Sequence, residues 1–303
     1  MKKFILTDET IEMFGVTLHR IKAVRSFGNV KEGDLGGFVE NETNLSHNGS
    51  AWVSGSACVS GSAYVSDEAC VCDKARVSDK ARVSGSACVS DKARVCDKAR
   101  VCDKACVCGS ACVCNEARIY DEACVCGSAW VSGSACVCDK ARVCDEACVC
   151  GSAWVSGSAW VSGSACVCDK ARVCDKARVC DKARVCDKAC VCDKACVCNE
   201  ARIYDKACVC GSARVCDKAR VCDKARVHGE ALVHGEADYI VFKNWWSSGR
   251  YFTWTRSNNM WSVGCFYGTG EELIKKAYAD SEKSGREYER VVNFVQSILE
   301  DKQ

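Results

Sequence analysis

Apolar and polar positions follow a strict period of six residues from Gly49 to His234. Each of the thirty-one hexads reads Gly, Asp or Asn, then Ser, Lys or Glu, then Ala, a variable residue, Val or Ile, and a last residue that is mostly Ser or Cys. An unbroken short period predicts a solenoid, because each short unit must bury its apolar residue against the next copy.

The hexad also predicts how each unit is built. In Gly55–Ser60, an inward Val59 sends Cys58 and Ser60 outward by strand alternation, and the alanine points inward again near the corner. The Gly, Asp or Asn that follows tolerates a left-handed backbone, so each hexad ends in a tight corner. Three hexads close a triangular coil, which predicts about ten coils and a rod of roughly 50 Å at the ~4.8 Å spacing of strands.

Val59 with Ala63, and Val65 with Ala69, place an aliphatic residue four positions before a small one. In this respect the chain resembles the hexapeptide-repeat family, whose members form left-handed parallel β-helices. The resemblance implies a left-handed coil, against the right-handed rule for parallel crossovers. We therefore predict an all-β fold, a left-handed parallel β-helix with an N-terminal β cap and a small C-terminal α+β module.

Two flanks without the period divide the chain into an N-terminal cap at residues 1–48, the solenoid at 49–237 and a C-terminal module at 238–303. An open solenoid exposes an unpaired strand edge at each end, which invites polymerisation unless something covers it. Both flanks are therefore candidate covers.

Each flank has a predicted internal structure. The N-terminal flank contains a predicted strand from Thr17 to Val24, and a glycine-rich turn then leads to Leu45 in a first irregular coil. In the C-terminal module, aromatic segments divided by Gly, Ser and Asn predict two or three hairpin strands. Apolar residues at helical spacing then predict two helices with a break near Ser284 and Gly285.

Nearly the whole chain resembles a group of bacterial and phage proteins with short hexad runs, commonly described as polymer-forming cytoskeletal proteins or hexapeptide acyltransferases. The similarity is carried by Gly33–Val39, by the hexads, and by Gly264–Glu272. It implies a solenoid with two caps and no established chemistry.

The charge balance excludes a general attraction to polyanions. The chain has 42 basic and 40 acidic residues and a net charge of +2, so no global field draws it to nucleic acid or to an anionic membrane. Apolar stretches are short, and Thr7, Asp8 and Glu9 stand where a signal peptide needs an apolar run. We expect a cytoplasmic protein with no membrane partner and no cofactor.

The chain has 31 cysteines, but a slot that also accepts Ser, Tyr and His cannot be a required crosslink, so we expect mostly reduced thiols. Residues one coil apart stack at strand spacing, which permits disulfides or soft-metal binding by outward cysteines. Three such columns are predicted. They are Cys108, Cys126 and Cys144; Cys180, Cys198 and Cys216; and Cys70, Cys88, Cys106 and Cys124. The first two are the candidate metal ligands, and a thiol-rich metal-binding protein remains an alternative.

Outward arginines form two further predicted columns. They are Arg82, Arg100 and Arg118, and Arg184, Arg202 and Arg220. Stacked arginines can grip phosphates, which makes these residues candidates for polyanion binding. Every arginine hexad also carries its own acidic residue or is flanked by one, which favours a self-neutralising solvated face.

A hexapeptide-type acyltransferase, or a degenerate relative of one, is the main enzymatic alternative. The resemblance implies a histidine base, a coenzyme A groove between subunits and projecting loops. The chain has only four histidines and no loop between hexads, and His228 and His234, the candidate catalytic pair, fall on different faces of the last coil. The prediction therefore leans away from an enzyme.

The aromatic residues of the C-terminal module are candidates for partner binding or for its core. They are Trp245, Trp246, Trp254, Trp261 and Tyr267. Within the solenoid, the block at residues 127–144 recurs at 157–174, an offset of five hexads, so copies land on different faces. This disfavours a function that needs one flat array. We predict a rigid rod that acts as spacer or scaffold, with a protein partner or self-association through its ends.

Overall fold

The computed structural model describes residues 1–300, where the hexad period forms a parallel β-solenoid. Each hexad contributes one two-residue strand, made by its variable residue and its Val or Ile. These strands occur every six residues, from β4 at Trp52–Val53 to β34 at Leu232–Val233. Inside the rod, each strand pairs with the strands one coil before and after it, as Val89 pairs with Val71 and Val107. The predicted β-solenoid is confirmed.

Every third strand joins the same sheet, so the coil has three faces. The sheets contain thirteen, eleven and ten strands, and we call them the thirteen-strand, eleven-strand and ten-strand faces. The strands β5 (Cys58–Val59), β4 and β6 (Tyr64–Val65) belong to these faces in that order. Side chains 18 residues apart in the sequence occupy equivalent positions in successive coils, and they therefore form a column along the rod.

The interior of the solenoid contains one Val or Ile and one Ala per hexad, and these side chains are at most 1% exposed. The predicted left-handed corners are also present. All thirty-one corner residues have φ between 55° and 71°, whether they are Gly, Asp or Asn. Glycine, aspartate and asparagine are the residues that adopt this region at least cost, which explains why the slot accepts no other type.

The N-terminal flank extends the thirteen-strand face. Strands β1 (Phe4–Met13) and β2 (Val16–Ala23) form an antiparallel hairpin, and β2 pairs antiparallel with β3 (Leu35–Val39). Strand β3 then runs parallel to β5. After a 3-10 turn at Glu42–Asn44, Leu45 pairs with Val65 in the expected irregular coil. The sequence predicts β2 but not β1, because the charged residues of β1 hide its alternation.

The C-terminal module begins after a second 3-10 turn at Glu236–Asp238 and contains a four-stranded antiparallel sheet and two helices. The elements are β35 (Tyr239–Lys243), β36 (Tyr251–Thr255), β37 (Met260–Val263), β38 (Phe266–Gly268), α1 (Gly270–Asp280) and α2 (Glu282–Glu300). Two aromatic residues of the sheet, Phe252 and Trp261, pack with Val292 and Val295 of α2 in a second core. The last three residues of the predicted module lie outside the described residues.

Two details of this module differ from the sequence prediction. The sheet has four strands rather than two or three, because Gly264 adopts φ 59° and turns the chain between β37 and β38. The helices break at Ser281, whose hydroxyl caps the Ser284 N–H of α2 at 3.1 Å, and not at Ser284 and Gly285. Gly285 lies inside α2. A glycine is needed at this position because any side chain would overlap the ring of Tyr278 on α1.

Candidate functional site

Outward cysteines form straight columns on the faces of the rod. Cys88 pairs in register with Cys70 and with Cys106, which in turn pairs with Cys124. This predicted column therefore exists on the eleven-strand face. All thirty-one cysteines are free thiols in the structure.

The six cysteines predicted as metal ligands form one column rather than two. Their strands all belong to the eleven-strand face, because Cys144 and Cys180 are two whole coils apart. Ser162 lies between them, and His234 follows Cys216 at the end of the column. Apart from that last coil, the structure groups the cysteines differently from the prediction.

The closest groups arise where one Cys-Val-Cys strand stacks on another. This happens once on each face and produces three sets of four thiols, which we call the first, second and third quartets. The first is Cys106, Cys108, Cys124 and Cys126; the second is Cys148, Cys150, Cys166 and Cys168; the third is Cys190, Cys192, Cys208 and Cys210. In each quartet the Sγ atoms of the first three members lie within 4.8 Å of one another.

The third member of each quartet links its thiols. Cys124, Cys166 and Cys208 each interact with all three other thiols of their quartet. The next residue in each of these columns is an arginine, since these cysteines pair in register with Arg142, Arg184 and Arg226. The same five-residue arrangement thus occurs on all three faces.

This arrangement favours a thiolate at one position of each of the first two quartets. Hydrogen bonds from neighbouring thiols, with that of Cys106 the strongest, and the charge of Arg142 lower the pKa of Cys124 to about 6. The pKa of Cys166 is lowered to about 6 in the same way by Cys148 and Arg184. Burial raises the pKa of Cys126 to about 12. A negative charge therefore forms first at the sulfur beside the arginine.

The third quartet is the most buried. Cys210 is only 5% exposed, and its hydrogen bond with Cys192, followed by burial, raises its pKa to about 12. The hydrogen bond with Cys190 raises the pKa of Cys208. The thiols of Cys208 and Cys210 therefore stay protonated at neutral pH unless something replaces their protons.

The two histidines of the last coil lie on different faces of the rod. His228 lies on the ten-strand face and packs against Tyr267 with ring centres 4.7 Å apart, whereas His234 lies on the eleven-strand face. Nδ1 of His234 is 3.1 Å from Cys216 Sγ and 2.9 Å from an Asp217 carboxylate oxygen. A nucleophile and an orienting acid need opposite ring nitrogens, so this trio is not a catalytic triad.

Both predicted arginine columns are formed. Arg100 pairs in register with Arg82 and Arg118 on the ten-strand face, and the second column lies on the thirteen-strand face. The corners beside these columns carry acidic and basic side chains. The Lys98 ammonium, for example, forms a salt bridge with the Glu116 carboxylate one coil away at 3.1 Å. Exposed pairs of this kind contribute at most about 1 kcal/mol. Polyanion binding by the arginine columns stays a prediction.

Burial separates the five aromatic candidates of the C-terminal module. Trp246, Trp254 and Trp261 are 8%, 2% and 1% exposed and belong to its core. Tyr267 is half-buried at the junction with the rod, where it contacts His228. Trp245 is 74% exposed, so among the five it is the residue that a partner could reach.

The C-terminal module also closes the ladder of the last coil. Inside the rod, the N–H of each variable residue donates to an alanine carbonyl of the next coil, as Arg100 donates to Ala117 at 2.9 Å. In the last coil, Arg226 N–H donates to the Thr253 hydroxyl at 2.8 Å, and Leu232 N–H donates to the Ser257 hydroxyl at 2.7 Å. Side-chain oxygens therefore replace the carbonyls of a further coil.

The Asp238 carboxylate serves the end of the last hexad. It accepts from the His234 N–H at 2.7 Å and from the Gly235 N–H at 2.9 Å. The Tyr239 hydroxyl donates to the Arg220 carbonyl at 2.7 Å. All three faces of the last coil therefore contact the segment that follows the repeat.

The N-terminal end uses donors in the same role. The buried Asn44 amide donates to the carbonyls of Gly61 and Ala63 at 3.0 and 2.9 Å, and the buried Lys3 ammonium donates to the Ala51 carbonyl at 2.7 Å. The edge strand β1 carries Asp8, Glu9 and Glu12 among other polar residues, and charge on an edge strand opposes pairing with another chain.

Comparison with protein-family models gave no match, and comparison with curated proteins gave none either. Among residues 1–300, none of the helices combines the length and the apolar character needed to cross a membrane. The function must therefore be argued from the geometry of the rod, its ends and its thiols.

Proposed function

We propose that this protein is a non-enzymatic scaffold, a rigid rod that holds its N-terminal cap and its C-terminal module a fixed distance apart. A continuous hydrogen-bond ladder supports the rigidity of the rod. The Cys88 N–H donates to the Ala105 carbonyl and the Ser90 N–H donates to the Val107 carbonyl, both at 2.9 Å. Equivalent hydrogen bonds recur along the solenoid. Between Gly49 and His234 no loop interrupts this ladder.

The observation that carries the proposal is that both ends of the ladder have polar partners outside the repeat. Thr253, Ser257 and Asp238 serve the last coil, and Asn44 and Lys3 serve the first. An unpaired parallel edge templates the addition of another chain. A rod closed in this way has a set length and does not grow end to end.

The same geometry does not favour the acyltransferase alternative. His228 and His234 lie on different faces, and His234 engages Cys216 and Asp217 through one nitrogen. The concave surfaces on the solenoid run along its corners, where Asp, Lys and Glu alternate in open troughs. A base and an enclosed groove are not brought together in the described residues.

In this proposal partners attach at the ends of the rod. The faces of the solenoid carry duplicated hexads without a fixed order, as Trp130 lies on the thirteen-strand face and its copy Trp160 on the eleven-strand face. The C-terminal module, by contrast, presents the exposed Trp245 once. Single, non-repeated surfaces are better suited to a specific partner.

Negative-stain microscopy tests the proposal by comparing the full chain with a chain that ends at residue 237. We expect the full chain to form single rods, because its last coil is closed. The shortened chain exposes the N–H groups of Arg226 and Leu232, while Asn44 and Lys3 still close its N-terminal end. We therefore expect it to pair through the exposed C-terminal ends into particles about twice as long.

A full-length variant, Thr253→Val with Ser257→Ala, is the matched control, since it keeps the module and removes only its two hydroxyl acceptors. We expect it to form rods with some end-to-end pairs. Filaments of the unmodified full chain, or single rods of the chain that ends at residue 237, would contradict the closed-end proposal.

A further inference from the structure

We propose that the three cysteine quartets are metal sites, each of which binds one Zn²⁺ or a similar soft d¹⁰ cation through four sulfurs. This inference is independent of the scaffold function. It concerns the faces of the rod, and a rod without metal would still be a spacer.

The positions of the sulfurs support tetrahedral coordination. Zinc binds four thiolates with Zn–S bonds of about 2.3 Å, which places the sulfurs about 3.8 Å apart. In the third quartet, the sulfurs of Cys190, Cys192 and Cys208 already lie within 4.8 Å of one another. Cys210 lies within the same distance of Cys192 and also contacts Cys208. Small side-chain rotations on a rigid backbone would close the site.

The ladder explains why the backbone fits. A Cys-Val-Cys strand directs two side chains to one face, and the identical strand one coil away lies about 4.8 Å from it. Four thiols then occupy the corners of a small rectangle above the buried valines, such as Val191 and Val209. Such a preformed set loses little freedom when it binds an ion.

The arrangement occurs three times with the same composition. Successive quartets are offset by seven hexads, from Cys106 to Cys148 and from Cys148 to Cys190, and each step moves the quartet to the next face. Every quartet is followed one coil later by an arginine. Four thiolates around a divalent ion carry a net charge of −2, which an adjacent guanidinium stabilises.

Binding must release protons, because thiols are protonated ligands and the metal replaces the protons. Four S–H bonds break, four S–M bonds form, and up to four protons leave per ion with no change in oxidation state. Apparent affinity therefore falls as the pH is lowered.

One Cys-Val-Cys strand provides the matched control. Cys136 and Cys138 lie on the ten-strand face, like the third quartet, but Cys136 pairs in register with Arg118 on one side and Trp154 on the other. This strand has the same motif and no second cysteine pair stacked on it. It should not hold a metal ion tightly.

The test is a titration of the full-length, reduced, metal-free protein with Co²⁺, followed by displacement with Zn²⁺ in competition with a chromophoric chelator. Tetrahedral thiolate coordination gives Co²⁺ intense ligand-field and charge-transfer bands. We expect three tight ions per chain in the unmodified protein, two in Cys208→Ser with Cys210→Ser, and three in Cys136→Ser with Cys138→Ser.

Circular dichroism of each variant checks that the rod is intact, and Cys124→Ser with Cys126→Ser serves as a second test if the first variant fails to fold. Fewer than one tight ion per chain in the unmodified protein would overturn the proposal. So would three tight ions in the quartet variant, the loss of an ion in the control variant, or Co²⁺ spectra typical of oxygen ligands.

Discussion

The body of the rod and its two ends satisfy the backbone hydrogen bonds of their coils in different ways. In the body, each coil supplies hydrogen-bond partners and apolar contacts to the next, so a single repeated hexad is sufficient. At the ends no next coil exists, and individual residues such as Thr253, Ser257 and Asn44 must supply the missing partners. Repeated hexads therefore form the body of the solenoid, but the end coils need hydrogen-bond partners from outside the repeat.

Val131→Asp tests the body of the rod and should have the largest effect. Val131 is fully buried in the valine column, so the variant places an unpaired carboxylate between neighbouring coils. We expect the free energy of unfolding to fall by more than about 5 kcal/mol, measured by urea denaturation.

The matched control lies one residue earlier on the same strand. Trp130 is 51% exposed, and arginine occupies the same outward slot in many hexads. Trp130→Arg should change stability by less than about 0.5 kcal/mol. A similar loss of stability in both variants would contradict the assignment of inward and outward positions.

Trp261→Ala tests the C-terminal module. Trp261 is 1% exposed and packs among Phe242 and Phe252, so we expect a loss of about 3–5 kcal/mol that is confined to the module. The tryptophan variant should unfold in two transitions, with the rod unfolding last. Trp245→Ala, at the exposed neighbouring tryptophan, should leave the denaturation curve unchanged within about 0.5 kcal/mol.

The fold of the body follows from the sequence more fully than the fold of the two flanks. The hexads specify the strands and the corners of the body, because period, alternation and corner chemistry agree in every copy. The flanks have no period, so β1, the fourth strand at Phe266–Gly268 and the helix break at Ser281 were not predicted. Each depends on tertiary contacts or turns that occur once in the chain, such as the pairing of β1 with β2 and the Gly264 turn before β38.

The thiol sites show a similar division. The sequence predicts the columns and the outward direction of the cysteines, but the metal ligands that it predicts follow single columns. The signal for the quartets is a Cys-Val-Cys strand repeated 18 residues later, as at Cys190 and Cys208, which requires the along-strand and across-strand directions to be combined. The adjacent arginines become meaningful only once the register is known.

Lys3 offers a pH test of the N-terminal end. Its side chain is fully buried, and burial, followed by the charge of Arg25, lowers its pKa from 10.5 to about 8. Between these two pH values the unfolded chain binds more protons than the folded one, so this group makes the fold more stable as pH rises.

The measurement compares the unmodified chain with Lys3→Met, because thiols and tyrosines also titrate in this range. Relative to the variant, the unmodified chain should gain on the order of 2 kcal/mol in unfolding free energy between pH 8 and 10.5. A constant difference across this range would show that the ammonium is not desolvated in the folded cap.

Asn44→Ala should have the smallest effect of the four. The variant leaves the carbonyls of Gly61 and Ala63 without their amide donor, and a buried acceptor without a partner costs about 1–2 kcal/mol. Asn48→Ala, at an exposed asparagine nearby, is the control and should be neutral. Equal effects of the two substitutions would argue against a closing role for Asn44.

The three-sided coil gives the number of hexads an angular meaning. Adding one hexad lengthens the rod by only a third of a strand spacing, but it rotates everything downstream by a third of a turn about the long axis. Insertion of three hexads preserves the azimuth of the C-terminal module, whereas insertion of one or two points Trp245 in a new direction. The number of hexads therefore sets the rotational orientation of the C-terminal module as well as the length of the rod. Variants that differ by one hexad would present the same surface in different directions around the rod axis.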